Sequence, residues 1–209
     1  MALFGAALWA VQARAEFINF DNLPTGPTDG FTITNVTNQY LNVTFSASGG
    51  DIVMITSQAA YNTSPPNMIC TGSVAGVVDC AQDLIMTFSV PVNNLVFDAL
   101  GNQTAIGGTF ATADIFQNFG LAPTTTVQLL VQPGGGNHNA DHQDLSAFAN
   151  ITKLVIHETT FEAQNAGSSF DNIGFTPADT TIPEPSTLLL TGSLGLLWIG
   201  RRFLARQRA

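Results

Sequence analysis

Short runs in which apolar and polar residues alternate are the feature of this sequence that most restricts its fold. In LIMTFSV, Leu84, Met86 and Phe88 fall on one face of an extended strand, opposite a Thr and a Ser. The pattern recurs in INFDNL, NVTFSA, DIVMIT, NLVFDAL, GTFATADIF, TTVQLLV, KLVIHE and SFDNIGFT, with clusters of Gly, Pro and Asn between the runs. About nine short strands at this spacing predict an all-β fold, an antiparallel β-sandwich over residues 16–176.

Phenylalanine supplies most of the predicted core. Thirteen of the fifteen Phe residues lie between residues 16 and 176, all but Phe4 and Phe203. Because each phenyl ring buries a large apolar area, we expect these rings to pack between two sheets rather than to form a recognition surface.

Negative charge dominates the same stretch of the chain. Between Glu16 and Ile182 there are fourteen acidic residues and one cation, Lys153, which gives a net charge of −13. A surface with this charge repels the phosphate backbone of nucleic acids and attracts divalent cations. We therefore expect no nucleic-acid partner.

Cys70 and Cys80 are the two cysteines of the chain, and CTGSVAGVVDC is the short loop that they bound. In an oxidising compartment such a pair forms a local disulfide, worth roughly 2–3 kcal/mol by loop entropy. In the cytosol the same residues would be free thiols. The signals at the two ends of the chain favour the disulfide.

The N-terminus, MALFGAALWAVQARAEF, has the features of a secretory signal peptide over residues 1–15. Residues 2–11 are apolar, and Ala13-Arg14-Ala15 is a small-x-small pattern that places the cut between Ala15 and Glu16. No Lys or Arg precedes the apolar run, which leaves the true start codon open. A buried first helix is the alternative, and the strand-like alternation that follows disfavours it.

The C-terminus is apolar and then positively charged. Residues 186–200 carry no charge, and as a helix they would span about 22 Å, short of the roughly 30 Å hydrocarbon core. Trp198 lies near the far end, where indole prefers the interface, and the positive-inside rule keeps Arg201 and Arg202 in the cytoplasm. We expect a short transmembrane helix with its arginine end in the cytoplasm and the body on the opposite side of the membrane.

Pro183-Glu184-Pro185, the hydrophobic segment and the terminal arginines closely resemble a PEP-CTERM sorting signal, here residues 183–209. The resemblance implies an exosortase substrate. By this resemblance, the precursor of the protein is anchored in the inner membrane and interacts with exosortase and the secretion machinery. The protein is then delivered to the cell surface or the extracellular space. The prolines keep this segment extended, as a protease cleft requires. Residues 177–182 form a polar linker between the body and this segment. The alternative to a sorting signal is an ordinary single-pass tail anchor.

The body resembles a jelly-roll domain that recurs in PEP-CTERM proteins and is similar in layout to concanavalin-like and galactose-binding-like sandwiches. INFDNL, YLNVTFS, FSVPVNNLVFDA and FDNIGF carry the resemblance in this order. It implies a structural calcium held by Asp21 and Asp171, with Asn22 or Asn172 as carbonyl ligands, and calcium prefers oxygen ligands of this kind. Asp-Asn after a strand is also an ordinary turn sequence.

The remaining chemical groups give weaker signals. PGGGNHNADHQD contains His138, Asp141, His142 and Asp144, which suit a metal site or, as we favour, a solvated hairpin connection. His157 and Glu158 are neighbours on a predicted strand and face opposite ways, so they do not pair. No nucleophile elbow, zincin or P-loop motif occurs, and the predicted disulfide removes the thiol nucleophiles.

These observations favour a non-enzymatic, exported protein of the cell surface or extracellular matrix. The alternative is a calcium-assisted carbohydrate-binding module that acts on exopolysaccharide, and an extracellular hydrolase is the least favoured hypothesis. Carbohydrate-binding surfaces commonly stack sugar rings on Trp or Tyr. Trp9 and Trp198 belong to the terminal signals, so the body has only Tyr40 and Tyr61 for this role.

Overall fold

The computed structural model describes residues 14–23, 31–32, 36–49, 52–56, 67–71, 80, 82–100, 106–133, 140–158 and 168–178. They form eleven strands: β1 (Glu16–Ile18), β2 (Phe31–Thr32), β3 (Val43–Ala47), β4 (Ile52–Thr56), β5 (Asn67–Thr71), β6 (Leu84–Leu100), β7 (Thr109–Gln117), β8 (Thr125–Leu130), β9 (Asp141–Asp144), β10 (Ile151–Glu158) and β11 (Ser169–Pro177). Within these ranges no helix is long and apolar enough to cross a membrane. The predicted transmembrane helix and most of the predicted signal peptide lie outside them.

Hydrogen bonding arranges the strands in two layers that share β6. The first layer, β3–β6–β10–β7–β8, uses the first half of β6, where Leu84 pairs with Ala47 and with Ile156. The second layer, β9–β6–β11–β5–β4–β2, uses its second half, and β1 pairs with β11 beside β5. All of these pairings are antiparallel, which confirms the predicted all-β, antiparallel class.

β6 passes from one layer to the other near Val92, which pairs with Ile151 of β10 and with Pro177 of β11. The alternation predicts two separate strands on either side of Pro91, and that prediction is wrong because β6 is continuous. The carbonyl of Pro91 accepts the N–H of Ala178, just past the end of β11, at 2.7 Å. Its missing N–H therefore affects only the last step of this ladder, a position where proline is tolerated. Asn94 has φ 54°, a left-handed conformation just past this point.

One apolar core joins the two layers. Its buried residues come from β3, β6, β7 and β10 of the first layer and from β5, β6 and β11 of the second. The rings of Phe88 and Phe175, one from each layer, meet edge to face with centroids 5.2 Å apart. Two sheets with a shared core form a β-sandwich, and phenylalanines fill much of it as predicted; Phe17 and Phe119 are exposed exceptions.

Four further segments differ from their predicted structure. INFDNL is predicted as one strand, but β1 ends at Ile18 and residues 19–23 form a turn. β2 and β5 were not predicted, and β9 lies in the segment predicted as a hairpin loop. The inward side of β9 carries buried Asp141 and Gln143, so a search for apolar alternation does not detect this strand.

Candidate functional site

Asp21, the first predicted calcium ligand, lies in the turn that follows β1. Phe20 in this turn is fully buried with φ 59°, a left-handed conformation that is rare for a bulky side chain. Its ring packs edge to face on Tyr40 and Phe45, with centroids 5.4 and 5.6 Å away. Next to it, Asp21 Oδ2 accepts a hydrogen bond from Asn19 Nδ2 at 2.7 Å. Aromatic packing and a local carboxylate bond therefore fix the turn.

Asn67, the first residue of β5, fastens this turn to the second layer. Its side chain is fully buried. Its backbone N–H donates to Asp21 Oδ1 at 3.1 Å, and its Nδ2 donates to the carbonyls of Phe20 and Leu23 at 3.0 and 3.1 Å. Those two carbonyls lie in a turn, where no neighbouring strand donates hydrogen bonds to them as it would in a β-sheet. The side chain of Asn67 supplies donors in its place.

Tyr40 brings the two predicted carboxylates into one electrostatic environment. Its hydroxyl donates to Asn22 Oδ1 at 2.7 Å. Burial, followed by the negative charges of Asp21 and Asp171, raises the pKa of Tyr40 from its ordinary 10.0 to about 12. Asp21 and Asp171, 150 positions apart in the sequence, thus act on the same hydroxyl. We call Asn19, Asp21, Asn22, Tyr40 and Asn67 the junction network.

Asp171, the second predicted ligand, is fully buried in β11 and opposes Asp98 of β6. The register of β11 shifts directly after it, and Asn172 has φ 50°, which together mark a β-bulge. The N–H of Asn172 donates to Asp171 Oδ1 at 2.8 Å, and its Nδ2 donates to Asp98 Oδ2 at 2.8 Å. The bulge therefore directs the Asn172 side chain onto the neighbouring strand.

Asp98, His142 and Asn172 form a second polar group, which we call the outer-face network. Asp98 follows the fully buried Phe97, so its side chain points away from the core. Its Oδ1 lies 2.9 Å from His142 Nδ1, while Oδ2 accepts the bond from Asn172. The His142 imidazole is 61% exposed and the Asp98 side chain 14%. The network therefore consists of a largely exposed ring held by a half-buried carboxylate.

The histidine-containing loop does not gather its predicted side chains. Asp141 is fully buried, and its Oδ1 accepts a backbone N–H at 2.9 Å. His142 and Asp144 point to the other, exposed side of β9. Hydrogen bonds from the Ser146 side chain and backbone N–H hold the pKa of Asp144 below its usual range. His138 lies outside the described residues.

The described residues offer a cation only part of a coordination shell. Within the described ranges, no group of three or more His, Cys, Asp or Glu side chains is arranged to hold a metal ion. Both oxygens of Asp21 already accept N–H donors, and the amide oxygen of Asn22 accepts the Tyr40 hydroxyl. Calcium usually takes about six to eight oxygens. The calcium site at Asp21 and Asp171 therefore stays a prediction.

His157 has partners that the sequence did not indicate. Its imidazole contacts Asp83 at one nitrogen and Asp114 at the other. Both partners are distant in sequence and reach the histidine through the strands next to β10. The side chain of Glu158, its neighbour in the chain, lies outside the described residues.

The remaining predicted positions concern export. Cys70 and Cys80 are joined by a disulfide, as predicted, with Cα atoms 5.1 Å apart. Arg14 and Ala15 are exposed and Glu16 begins β1, so the predicted cut falls immediately before the first strand. The residues of the predicted sorting signal lie outside the described part of the chain: Pro183, Glu184, Pro185, Arg201 and Arg202.

Comparison with known proteins assigns the chain to no family. Neither a protein-family model nor a curated protein matches it. Among solved structures it is similar to the F5/8 type C domain of a Bacteroides fragilis protein, at 15% identity over 65% of this chain and 91% of that chain, with a TM-score of 0.34. A likeness with so low a TM-score supports no conclusion about topology or function.

Proposed function

We propose that the chain is an exported, non-enzymatic protein with a jelly-roll-like body that acts at the cell surface or in the extracellular matrix. The observation that carries this proposal is the Cys70–Cys80 disulfide. Such bonds persist in oxidising compartments and are rare in the cytosol. Both cysteine sulfurs of the chain are used in the bond, so neither serves as a thiol nucleophile.

The first strand supports removal of a leader after residue 15. Glu16 opens β1 and pairs with Phe175, and its carboxylate accepts a hydrogen bond from Asn42 Nδ2 at 2.6 Å. A cut between Ala15 and Glu16 leaves all of these contacts in the body. Exposed, irregular residues of this kind are also where peptidases cut most readily.

Residues 183–209 direct the body to its destination in this proposal, as a PEP-CTERM signal would. The prolines hold the segment outside the bilayer extended. The short helix anchors the precursor in the inner membrane, and Arg201 and Arg202 keep its end cytoplasmic. Exosortase and the secretion machinery are the partners, and the acidic body disfavours nucleic acid.

Intact-mass measurement of the protein from its native host tests these steps separately. We expect loss of residues 1–15, loss of the tail after the Pro-Glu-Pro segment, and a mass about 2 Da below that of the reduced body because the disulfide lacks two hydrogens. A mature protein that retains Arg208 contradicts removal of the tail. A body with two free thiols contradicts the oxidising compartment.

Replacement of the sorting residues tests their role directly. A variant with Pro183→Ala, Pro185→Ala, Arg201→Gln and Arg202→Gln is expected to lose surface delivery, measured by cell fractionation. Arg206→Gln with Arg208→Gln is the charge-matched control and is expected to lose less, because these arginines lie farther from the helix. Unchanged delivery of the fourfold variant overturns the sorting proposal.

A second candidate function is a calcium-assisted carbohydrate-binding module that acts on exopolysaccharide. It is supported by the contribution of both Asp21 and Asp171 to the raised pKa of Tyr40, and calcium prefers carboxylate oxygens as ligands. The outer-face network adds imidazole, carboxylate and amide groups near the surface, and these groups hydrogen-bond well to sugar hydroxyls. Calcium would supply positive charge, and the exposed side chains would contact the glycan.

Thermal unfolding with calcium separates this candidate from the first. We expect calcium to raise the melting temperature of the wild-type chain, a chelator to reverse the rise, and Asp21→Asn to abolish it. Asp144→Asn removes an exposed carboxylate elsewhere and is the matched control. A wild-type chain that responds to neither calcium nor chelator, and binds no glycan on an array, rejects the second candidate.

A further inference from the structure

His157 is held between two carboxylates on the side of the first layer that faces away from the core. Its Nδ1 lies 3.0 Å from Asp83 Oδ2, and its Nε2 lies 3.3 Å from Asp114 Oδ2. The three side chains are between 24% and 37% exposed. β10, which carries the histidine, runs between β6 and β7, so one ring connects both neighbours of this strand.

Further contacts hold the Asp114 carboxylate and the backbone of Asp83 in place. The hydroxyl of Thr126 on β8 donates to Asp114 Oδ1. The backbone N–H of Asp83 donates to Ser48 Oγ at 3.1 Å, and the N–H of Ser48 donates to the Asp83 carbonyl at 3.2 Å. The two aspartates thus approach the ring from opposite sides with their positions set by β8 and by the end of β3.

The number of N–H groups on the ring decides how many of these contacts are hydrogen bonds. An imidazolium has two N–H donors, whereas a neutral imidazole has one donor and one acceptor. An ionised carboxylate only accepts. The two-sided contact of His157 with Asp83 and Asp114 is therefore satisfied by the protonated ring. In the neutral ring one nitrogen lone pair faces a carboxylate and repels it.

The other charged groups around this face are few. Lys153 lies on the same face of β10, and its Nζ sits 4.5 Å from the centroid of the Phe116 ring rather than on either aspartate. On the neighbouring strands, the described acidic groups that face the ring are Asp83 and Asp114. His142, the other described histidine, contacts Asp98 in the second layer.

We propose that Asp83, His157 and Asp114 form a proton-dependent clasp that ties the start of β6 to β7 across β10. The clasp adjoins the disulfide-bounded loop, because Gln82 exchanges two hydrogen bonds with Thr71 Oγ1, at 2.9 and 3.0 Å. Protonation closes the clasp on both strands, and loss of the proton releases one of them. This regulation of the body by pH is independent of how the protein is sorted and of what it binds.

Thermal unfolding of the full chain at about pH 5.5 and about pH 8, on either side of the usual histidine range, tests the clasp. Glutamine has one donor and one acceptor and so imitates the neutral ring. His157→Gln is expected to lower the melting temperature by roughly 2–4 °C at the lower pH and by less than half of that at the higher pH. His142→Gln, the matched control with one carboxylate partner, is expected to show a smaller change with pH.

A double-mutant cycle between His157→Gln and Asp114→Asn assigns the effect to the contact itself. We expect the two substitutions to be coupled at the lower pH and nearly additive at the higher pH, and the same for Asp83→Asn. Equal coupling at both pH values, or additivity at both, overturns the proposal. The nitrogen chemical shifts of the His157 ring in the wild-type chain provide a second readout: a neutral ring at about pH 5.5 also overturns it.

Discussion

The junction network contains the fully buried Asn67, whereas the outer-face network, which reaches β11 at Asn172, has no fully buried member. Asp171, fully buried, acts on the hydroxyl of Tyr40 in the junction network. Asn172, the next residue, donates to Asp98 in the outer-face network, where the ring of His142 is 61% exposed. The bulge brings both residues to Asp98: Asp171 opposes it in the ladder, and Asn172 donates to its carboxylate.

Burial determines what each network contributes. In the junction network, N–H and O–H donors satisfy Asp21 and Asn22, and the buried Asn67 ties the turn to β5. Buried polar groups with their partners in place make a fold specific and rigid. The outer-face network has a largely exposed ring, which keeps hydrogen-bonding capacity for molecules in solution. We therefore expect substitutions in the first network to change stability and those in the second to change little.

Phe20→Ala should give the largest effect. Phe20 is fully buried and contacts Tyr40 and Phe45, so removal of its ring leaves a cavity and is expected to destabilise the fold by about 3–5 kcal/mol. Denaturant unfolding measures the change. Phe17→Ala, on the exposed side of β1, is the matched control, with an expected change within about 0.5 kcal/mol. A small effect for Phe20→Ala would mean that the turn is not held by aromatic packing.

Asn67→Ala should rank second. It removes the side-chain donor to the carbonyl of Leu23 and one of the two donors to the carbonyl of Phe20, which keeps the Leu23 N–H, for an expected loss of about 1–3 kcal/mol. Asn38→Ala, at an exposed position, controls for the change of residue type and should be nearly neutral. If the two variants unfold at the same denaturant concentration, the buried side chain of Asn67 contributes no more to stability than the exposed side chain of Asn38.

Asp98→Ala should cost less, about 1 kcal/mol or below, although it removes the partner of both His142 and Asn172. Both released groups remain near the surface, where water replaces the lost carboxylate. The same unfolding measurement gives the value. A loss as large as that of Asn67→Ala would remove the distinction between the two networks.

The ionisation of Tyr40 should report on the junction network at high pH. Its pKa of about 12 lies above the ordinary 10.0, so the unfolded chain loses this proton first. The contribution to stability is therefore complete below about pH 10 and is lost as the pH rises toward 12. Asp21→Asn should lower the pKa of Tyr40 but leave it above 10.0, because burial is the largest cause. Phenolate absorbance in a Tyr61→Phe background measures the shift, and an unchanged midpoint would contradict the placement of Asp21.

The smallest expected effect is at Asp144, on the exposed side of β9. Hydrogen bonds from Ser146 lower its pKa, so Ser146→Ala should raise that pKa toward the ordinary 3.8. Because the pKa of Asp144 is lower in the folded state, its ionised carboxylate stabilises the fold at pH values above the ordinary pKa. This stabilisation is lost as the pH falls through the folded-state pKa. Carboxyl chemical shifts during an acid titration measure the change, with Ser146→Thr, which keeps the hydroxyl, as control.

Alternation in the sequence was enough to predict an all-β, antiparallel body with a phenylalanine core, because strands with one buried side have a period of two. The short spacing of the two cysteines, together with the export signals, predicted the disulfide. The alternation could not show that β6 is continuous through Pro91, because proline inside a run usually argues against a continuous strand. Nor did it show β9, whose inward side chains are polar.

For the candidate site, the resemblance of the first and last strands directed attention to Asp21 and Asp171, and both carboxylates raise the pKa of Tyr40. Asn67 and the partners of His157 were not predicted. These contacts join residues far apart in sequence and depend on strand order. A single sequence gives the strands but does not specify which of them are neighbours.

The position of β11 has a mechanical consequence. It lies between β6 on one side and β5 with β1 on the other, and the chain leaves it at Pro177. A pull on the residues that follow acts along the strand axis, at right angles to its hydrogen bonds. Force along the strand is then shared as shear among bonds on both flanks instead of opening them one by one, so β11 resists a pull from its C-terminal end.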